Sequence, residues 1–379
     1  MGRPALILAA LAADASPGKN FRHYLKVDSN PDLETLRLWG ADGQAYEFKI
    51  PANSAGISDL ATEQMVVQTM RRLSSRLPFE IPESLGQTQD EKGTTGVLFT
   101  LLEGSSPDLS RLGPGAFSKS FGEALAALHS LSVEAIAEAG LPQYDSAAIL
   151  HQKVSELDKM AATGKVPAQL LSRWEQALED IGLFRFHSTI THGAISSDGV
   201  LINGQQVVGL ANWNSLAIGD PAEDFRWLSG GALPSTFEDA MLHYRAARPS
   251  ADENFAQRAM LYSELELGTW LLHCLAVGDQ EQIKQAEELL AELKDNLEAG
   301  NLKDLTATSF VGLAAAAAII PAATPTQELS AVEEAPEITE PEIEQVTAAS
   351  IFDEVAGVEA EESAEEDPKT QETSLDELF

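Results

Sequence analysis

The 379-residue chain has a single cysteine, Cys274, so no intrachain disulfide framework can form. Its setting, TWLLHCLAVG, reads as a buried structural thiol rather than a nucleophile. Basic residues are scarce as well: 25 Lys and Arg stand against 59 Asp and Glu, a formal net charge of −34. With no basic stripe or pole, a nucleic-acid binder would lack its electrostatic term, and that partner class is excluded. No apolar run reaches the ~20 residues that a bilayer requires. The stretch FVGLAAAAAIIPAA from Phe310 breaks on a proline, and MGRPALILAALAA, with one positive residue at its start, reads as an N-terminal helix rather than a secretory leader. The expectation is a cytoplasmic protein with no membrane partner.

The acid is unevenly spread. From Thr324 to Phe379, eighteen Asp or Glu stand against the single Lys369, a net of −17. Such a segment cannot bury enough apolar surface to offset its ordering entropy, so residues 301–379 read as a disordered acidic tail rich in Ala, Pro and Glu. Two apolar islands in it, IFDEVAGV at Ile351–Val358 and the terminal SLDELF, suit a segment that folds onto a partner groove. A protein partner for the tail is one expectation, and a plain solubilising tail is the other.

Hydrophobic residues make up 44% of the chain, enough for a sizeable core outside the tail. Residues 1–104 read as a small β-rich lobe. In it TLRLW and AYEFKIP flank the turn GADGQ, a hairpin signal. Leu60, Val67, Met70 and Leu73 then fall near helical spacing between Ser58 and about Leu77, and SLGQTQ and GVLFTLLEG read as two further strands. Residues 105–300 are helical in texture, interrupted by three β-prone pieces, STITHG, GVLING and QQVVGLANW.

That interruption, THGAISSDGVLINGQQVVGLANW from Thr191 to Trp213, carries the most specific pattern in the chain. It resembles the aminoglycoside and macrolide phosphotransferase family. The family's signature is His-Gly-Asp, four residues, Asn, then an Asp-Trp pair ahead of Gly-Asp-Pro-x-x-Asp. Here the frame reads His192, Gly193, Ala194, then Gly199, then Asn212 and Trp213, closing on Gly219, Asp220, Pro221 and Asp224. The spacing holds throughout, and the order of elements fits over roughly residues 1 to 300. The opening MGRPALILAALAA and RWEQALEDIGLFRF look most like the actinobacterial macrolide-phosphotransferase-like branch. The resemblance implies an α+β, bilobal protein-kinase-like fold, with a β-rich N-lobe and a larger helical C-lobe.

Phosphoryl transfer needs a carboxylate to orient and deprotonate the attacking hydroxyl, and oxygen ligands for the metal that neutralises the phosphates. The resemblance places the first at position 194, which is Ala194. It places metal ligands at Gly199, which has no side chain, and at Asn212, an amide in place of a carboxylate. Asp198, one residue before Gly199, is a weak substitute for the base or simply a turn residue. His192, Asp220 and Asp224 take structural roles, Asp224 bracing the loop and Asp220 capping a helix that starts at Pro221. Lys49 stands where the family holds α- and β-phosphates, with Glu63 on the next helix able to pair with it. Leu101, Leu102 and Glu103, up to Gly104, would face an adenine edge with their backbone. No glycine-rich loop precedes TLRLW, where DSNPDLE stands.

A scaffold kept while its chemistry is deleted implies a pseudokinase acting through a nucleotide or small molecule in the cleft, with ATP as the implied cofactor and Mg²⁺ held weakly at best. Two alternatives stay open. One is an ATP-dependent phosphotransferase of a hydroxylated small molecule, rearranged around Asp198 and Asn212. The other is a tail-mediated interaction protein. The helices after Asp224 offer Trp270, His243, Tyr244 and His273 without the acidic cluster that would announce an aminoglycoside, and these read as core more than pocket.

Overall fold

Alternation along three strands builds the first layer. In β1 (Phe21–Val27), β2 (Leu33–Gly40) and β3 (Ala45–Pro51), successive side chains point to opposite faces of the sheet. Leu36, Leu38, Tyr46, Phe48 and Ile50 turn to one face, where helix α1 (Ala5–Ala15) covers them with Leu8, Ala9, Ala12 and Ala15. Arg3 fixes the start of that helix by ion pairs to Glu34 and Asp90. Thr35, Arg37, Glu47 and Lys49 turn to the other face and line a cleft. The computed structural model describes residues 2–27, 30–136, 139–307 and the dipeptide Thr373–Ser374. Of the tail expected from residue 301, residues 301–307 are described, and Leu305 among them is buried in the core; apart from these and that dipeptide, the acidic tail, its apolar islands and the run from Phe310 lie outside the described residues.

Helix α2 (Ser54–Arg71) follows β3, with Asn53 as its N-cap accepting from Gly56 N at 3.1 Å. It starts four residues before the expected Ser58, because that cap precedes the apolar periodicity. Strands β4 (Ser84–Gln89) and β5 (Thr95–Thr100) complete the sheet, and the antiparallel register joins Arg37 to Glu47, Glu47 to Phe99, and Thr35 to Lys49. With β10 (Thr373–Ser374) at its edge beside β1, the sheet is ordered β10-β1-β2-β3-β5-β4. Strand β5 ends at Thr100 instead of running through Leu101–Gly104, so those residues form a connector. Strand β1 is an element that the sequence reading did not name.

The helical part begins with α3 (Ala116–His129), which packs along α7 (Pro234–Ala247). A Cβ at Gly122 would lie 2.4 Å from Ala240 O, so that contact requires glycine. Helices α4 (Ser146–Ala162), α5 (Ala168–Glu179), the short α6 (Arg226–Gly231), α8 (Phe255–Val277) and α9 (Gln280–Glu298) complete the part. Their core is centred on Trp174, Trp213, Phe225, Tyr244 and Phe255, with Cys274 buried. Tyr244 is therefore core as expected, whereas His273 is exposed and Trp270 and His243 are half-buried. Two small ribbons sit within it: β6 (Thr189–Thr191) with β9 (Ala217–Gly219), and β7 (Val200–Asn203) with β8 (Gln206–Leu210). Among the described residues no helix is long and apolar enough to cross a membrane.

Candidate functional site

The ribbons hold the loop 192–199 between them, and one carboxylate fixes it from below. Asp224, fully buried, accepts from His192 N at 2.7 Å through Oδ2 and from Gly193 N at 2.7 Å through Oδ1. Its Oδ2 also lies 3.0 Å from His129 Nε2, whose other nitrogen meets Tyr244 OH at 2.8 Å. A carboxylate can only accept, so His129 Nε2 carries the proton and Nδ1 accepts from the tyrosine. Burial lowers the pKa of His129 below the ordinary 6.5 and does the same to His192. Burial would raise Asp224, but the hydrogen bonds from His129 and the Gly193 amide, with the two neighbouring imidazoles, together outweigh it and hold the carboxyl below its ordinary value. The ring of His192 lies 4.5 Å from that of Trp213 and donates through Nε2 to Ala211 O at 2.9 Å. Gly193, at φ 79°, must be glycine: a Cβ there would lie 2.4 Å from Ser215 O.

Asp220 caps Ala222 N at 2.9 Å ahead of a short 3₁₀ turn at Pro221–Phe225, in place of the α-helix expected to begin there. Its stronger engagement was invisible in the sequence. Arg258, from the first turn of α8 and wholly buried, donates to Asp220 at 2.6 and 3.1 Å, to Asp252 at 2.8 and 2.9 Å and to Leu183 O at 2.8 Å. Tyr262 OH adds 2.7 Å to Asp220 Oδ2.

Above the loop lies a cleft of about 610 Å³. It gathers Lys49, Glu63, Leu101, Leu102, Ala194, Asp198 and Asn212, together with Arg37, Glu47 and Asp59, which the motif reading passed over. Glu103 is exposed outside it, and His192, Gly199, Asp220 and Asp224 do not line it. A larger depression of about 1220 Å³ beside α1 holds none of the motif residues.

Lys49 Nζ donates to both carboxylate oxygens of Glu63 at 2.8 and 3.1 Å, and Glu47 Oε2 is 3.4 Å away. Burial would lower the lysine's pKa, but these carboxylates outweigh it and hold it above the ordinary value, so the ammonium stays charged. On the opposite wall, Asp198 Oδ1 accepts from Ser196 Oγ at 2.6 Å and Oδ2 from Asn212 Nδ2 at 3.3 Å. Asn212 is left-handed at φ 64°, the one non-glycine residue with positive φ among those described. Between Leu101 and Gly104 the connector passes close to the cleft. Leu101 N is spent on Ala45 O at 3.0 Å, which leaves its carbonyl and the amides that follow as the groups able to meet a ligand.

Mg²⁺ takes near-octahedral oxygen ligands, usually with one or two carboxylates and the substrate's phosphates. The residues at the metal positions are one amide, Asn212, and one glycine, Gly199. The adjacent carboxylate, Asp198, has both oxygens engaged by Ser196 and Asn212. Among the described residues no group of three or more His, Cys, Asp or Glu is placed to hold a metal. This donor set does not fit a tightly held Mg²⁺.

Comparison with known proteins places this geometry. A profile described as Phosphotransferase enzyme family matches residues 32–262. The solved structure of macrolide 2'-phosphotransferase MphH from Brachybacterium faecium, an apoenzyme, superposes with a TM-score of 0.63 at 21% identity, covering 76% of this chain and 98% of that one. A type I macrolide 2'-phosphotransferase gives 0.62 at 23% identity, with 75% and 96% coverage. The GDP and kanamycin complex of APH(2")-IIIa gives 0.63 at 18% identity, with 77% and 99% coverage. No curated protein matches the sequence.

Proposed function

Because the chain belongs to the phosphotransferase enzyme family, with its bilobal kinase-like fold, we propose that it works as a nucleotide-binding pseudokinase with little or no phosphoryl transfer. The observation that carries this reading is position 194, where Ala194 lines the cleft with a methyl group in place of the carboxylate that would deprotonate an acceptor hydroxyl. General-base catalysis contributes ~10²–10⁴-fold, and the donor set at Asp198, Gly199 and Asn212 adds a metal deficit. The nucleotide side retains its grip: a charged Lys49 fixed by Glu63, and a connector with backbone groups open to the cleft. Two relatives in this fold carry bound GDP and kanamycin, and streptomycin and ATP, respectively. For this chain the nucleotide is the ligand that the Lys49–Glu63 pair supports.

One observation favours a second reading, a rearranged enzyme: Asp198 does line the cleft. Thermal unfolding of the full chain with ATP, with Mg²⁺, with both and with neither separates the two. At a hundred times its dissociation constant a ligand adds about 2.7 kcal/mol, a few degrees for a chain of this size. The expected result is a shift with ATP that Mg²⁺ does not change, no ATP hydrolysis by the native chain, and metal-dependent hydrolysis after Ala194→Asp, Gly199→Asn and Asn212→Asp together. A shift that needs Mg²⁺, or native turnover equal to that of the triple variant, overturns the pseudokinase reading in favour of the rearranged enzyme.

A further inference from the structure

The cleft roof carries a charged row where it meets the connector. Register places Arg37 on β2 beside Glu47 on β3, and Glu47 beside Phe99 on β5, one residue before β5 ends at Thr100. The row of Thr35, Lys49 and Val97 lies two residues further from the connector. Lys49 is therefore set for the far end of a bound nucleotide, and Arg37 for the end against Leu101 and Leu102, with Leu201 and Ala211 lining the same cleft from the helical part.

Arg37 is incompletely satisfied. Glu47 is shared between two cations, its Oε1 3.5 Å from Arg37 Nε and its Oε2 3.4 Å from Lys49 Nζ. At 3.5 Å the first is an ion pair and falls short of a good hydrogen bond. Arg37 Nε is buried and has no hydrogen-bond partner, while the side chain as a whole is 43% exposed, so other parts of it are open to solvent. A buried donor left unmatched costs free energy, so the shared Glu47 holds this guanidinium only loosely. A guanidinium is also planar and weakly hydrated, and it stacks on aromatic faces.

We propose that Arg37 is the ring-binding contact of this cleft: the part of its guanidinium open to solvent covers the base of a purine nucleotide seated against Leu101 and Leu102. The inference rests on the nucleotide-binding reading above. It makes the roof over the base a cation rather than an apolar surface, and it gives the cleft a ligand contact that needs neither the phosphates nor a metal.

Calorimetric titration of the full chain with adenosine and with ATP, both free of divalent metal, tests it alongside the unfolding midpoint without ligand. Arg37→Met keeps the apolar stem and removes every donor, and Arg37→Lys keeps the charge but loses the planar fork. The expected result is a roughly tenfold loss in both variants, equal for adenosine and ATP, with the ligand-free midpoint of Arg37→Met unchanged or raised because an unmatched donor is gone. Unchanged affinity in Arg37→Met overturns the proposal, and so does a lowered ligand-free midpoint with unchanged affinity, the mark of a purely structural ion pair with Glu47. A loss confined to ATP overturns the ring placement and moves Arg37 to the phosphates. If the native chain binds neither adenosine nor ATP, the nucleotide-binding reading falls and this proposal with it; if the native chain binds and Arg37→Met binds equally, only this proposal falls.

Discussion

The loop 192–199 has two faces, and they differ in kind. Below it every polar group has a partner: Asp224 holds two backbone amides and His129, and Asp220 holds Arg258 and Tyr262. Above it, where chemistry would occur, a methyl group at 194 and an amide at 212 line the cleft, with a buried glycine at 199 behind them. The lower face is a folding requirement, because an unpaired buried charge or amide would be costly wherever the loop's activity stood. Ala194 and Asn212 are half-buried, so substitution at those two positions costs the fold little. Geometry and chemistry of the loop are thus separable, and the scaffold can persist around a cleft that only binds.

The sharpest way to break this comparison is through Arg258, the deepest cation of the lower face. Burial would lower its pKa, but Asp220 and Asp252 hold it above its ordinary value. Arg258→Met leaves Asp220 buried without its counter-charge, a change of the class that costs about 3–5 kcal/mol. Denaturant unfolding should show that loss, with ATP affinity unchanged at temperatures where the variant is folded. A cost under about 1 kcal/mol would mean that the lower face is not the support described.

Acid should separate the faces next. His129 and His192 are held neutral by burial, with folded-state pKa values below the ordinary 6.5. The unfolded chain therefore takes up protons below about pH 6.5 that the folded chain refuses, and stability falls as pH drops through that value. The slope is at most about 1.4 kcal/mol per pH unit for each histidine. Asp224 works in a lower window: its stabilisation is lost only as pH falls below the ordinary 3.8 toward its depressed folded value. Unfolding midpoints between pH 7 and 5 should decline, and His129→Gln should flatten part of the decline. Adenosine affinity should change little over the same range, since neither histidine lines the cleft. A flat stability profile would show that neither histidine is buried neutral.

How much of this could be read beforehand depended on whether a residue's role follows from local spacing. The loop frame was legible because His192, Gly193, Asp220 and Asp224 answer to the fixed separations of the family it resembles, and Lys49 with Glu63 because the same resemblance places a strand lysine and a carboxylate on the helix after it. Strand β1 was not, because a bulge between Phe21 and His23 breaks the alternation: Phe21 and Tyr24 are buried three residues apart. Strand β9, at three residues, is too short to leave a pattern. Arg258 looks like an ordinary helical cation until Asp220 arrives from 38 residues away. Arg37 and Glu47 read as the polar side of two strands, and only the sheet register turns that side into the cleft roof.

The smallest effect is the most informative about the upper face. Asn212→Asp replaces the amide that donates to Asp198 Oδ2 at 3.3 Å with a second carboxylate. One hydrogen bond is lost and two like charges face each other across a partly solvated gap, a cost of about 0.5–1 kcal/mol. Gly199→Asn should add little, since a Cβ there meets Ala211 O at 3.3 Å and Asn212 Nδ2 at 3.5 Å, tight but not impossible contacts. The same pair of carboxylates becomes an oxygen site for a divalent cation. Mg²⁺ should therefore raise the unfolding midpoint of Asn212→Asp and leave that of the native chain where it was. Equal responses would mean that Asp198 already recruits the metal unaided, and the two faces of the loop would then differ less than their side chains imply.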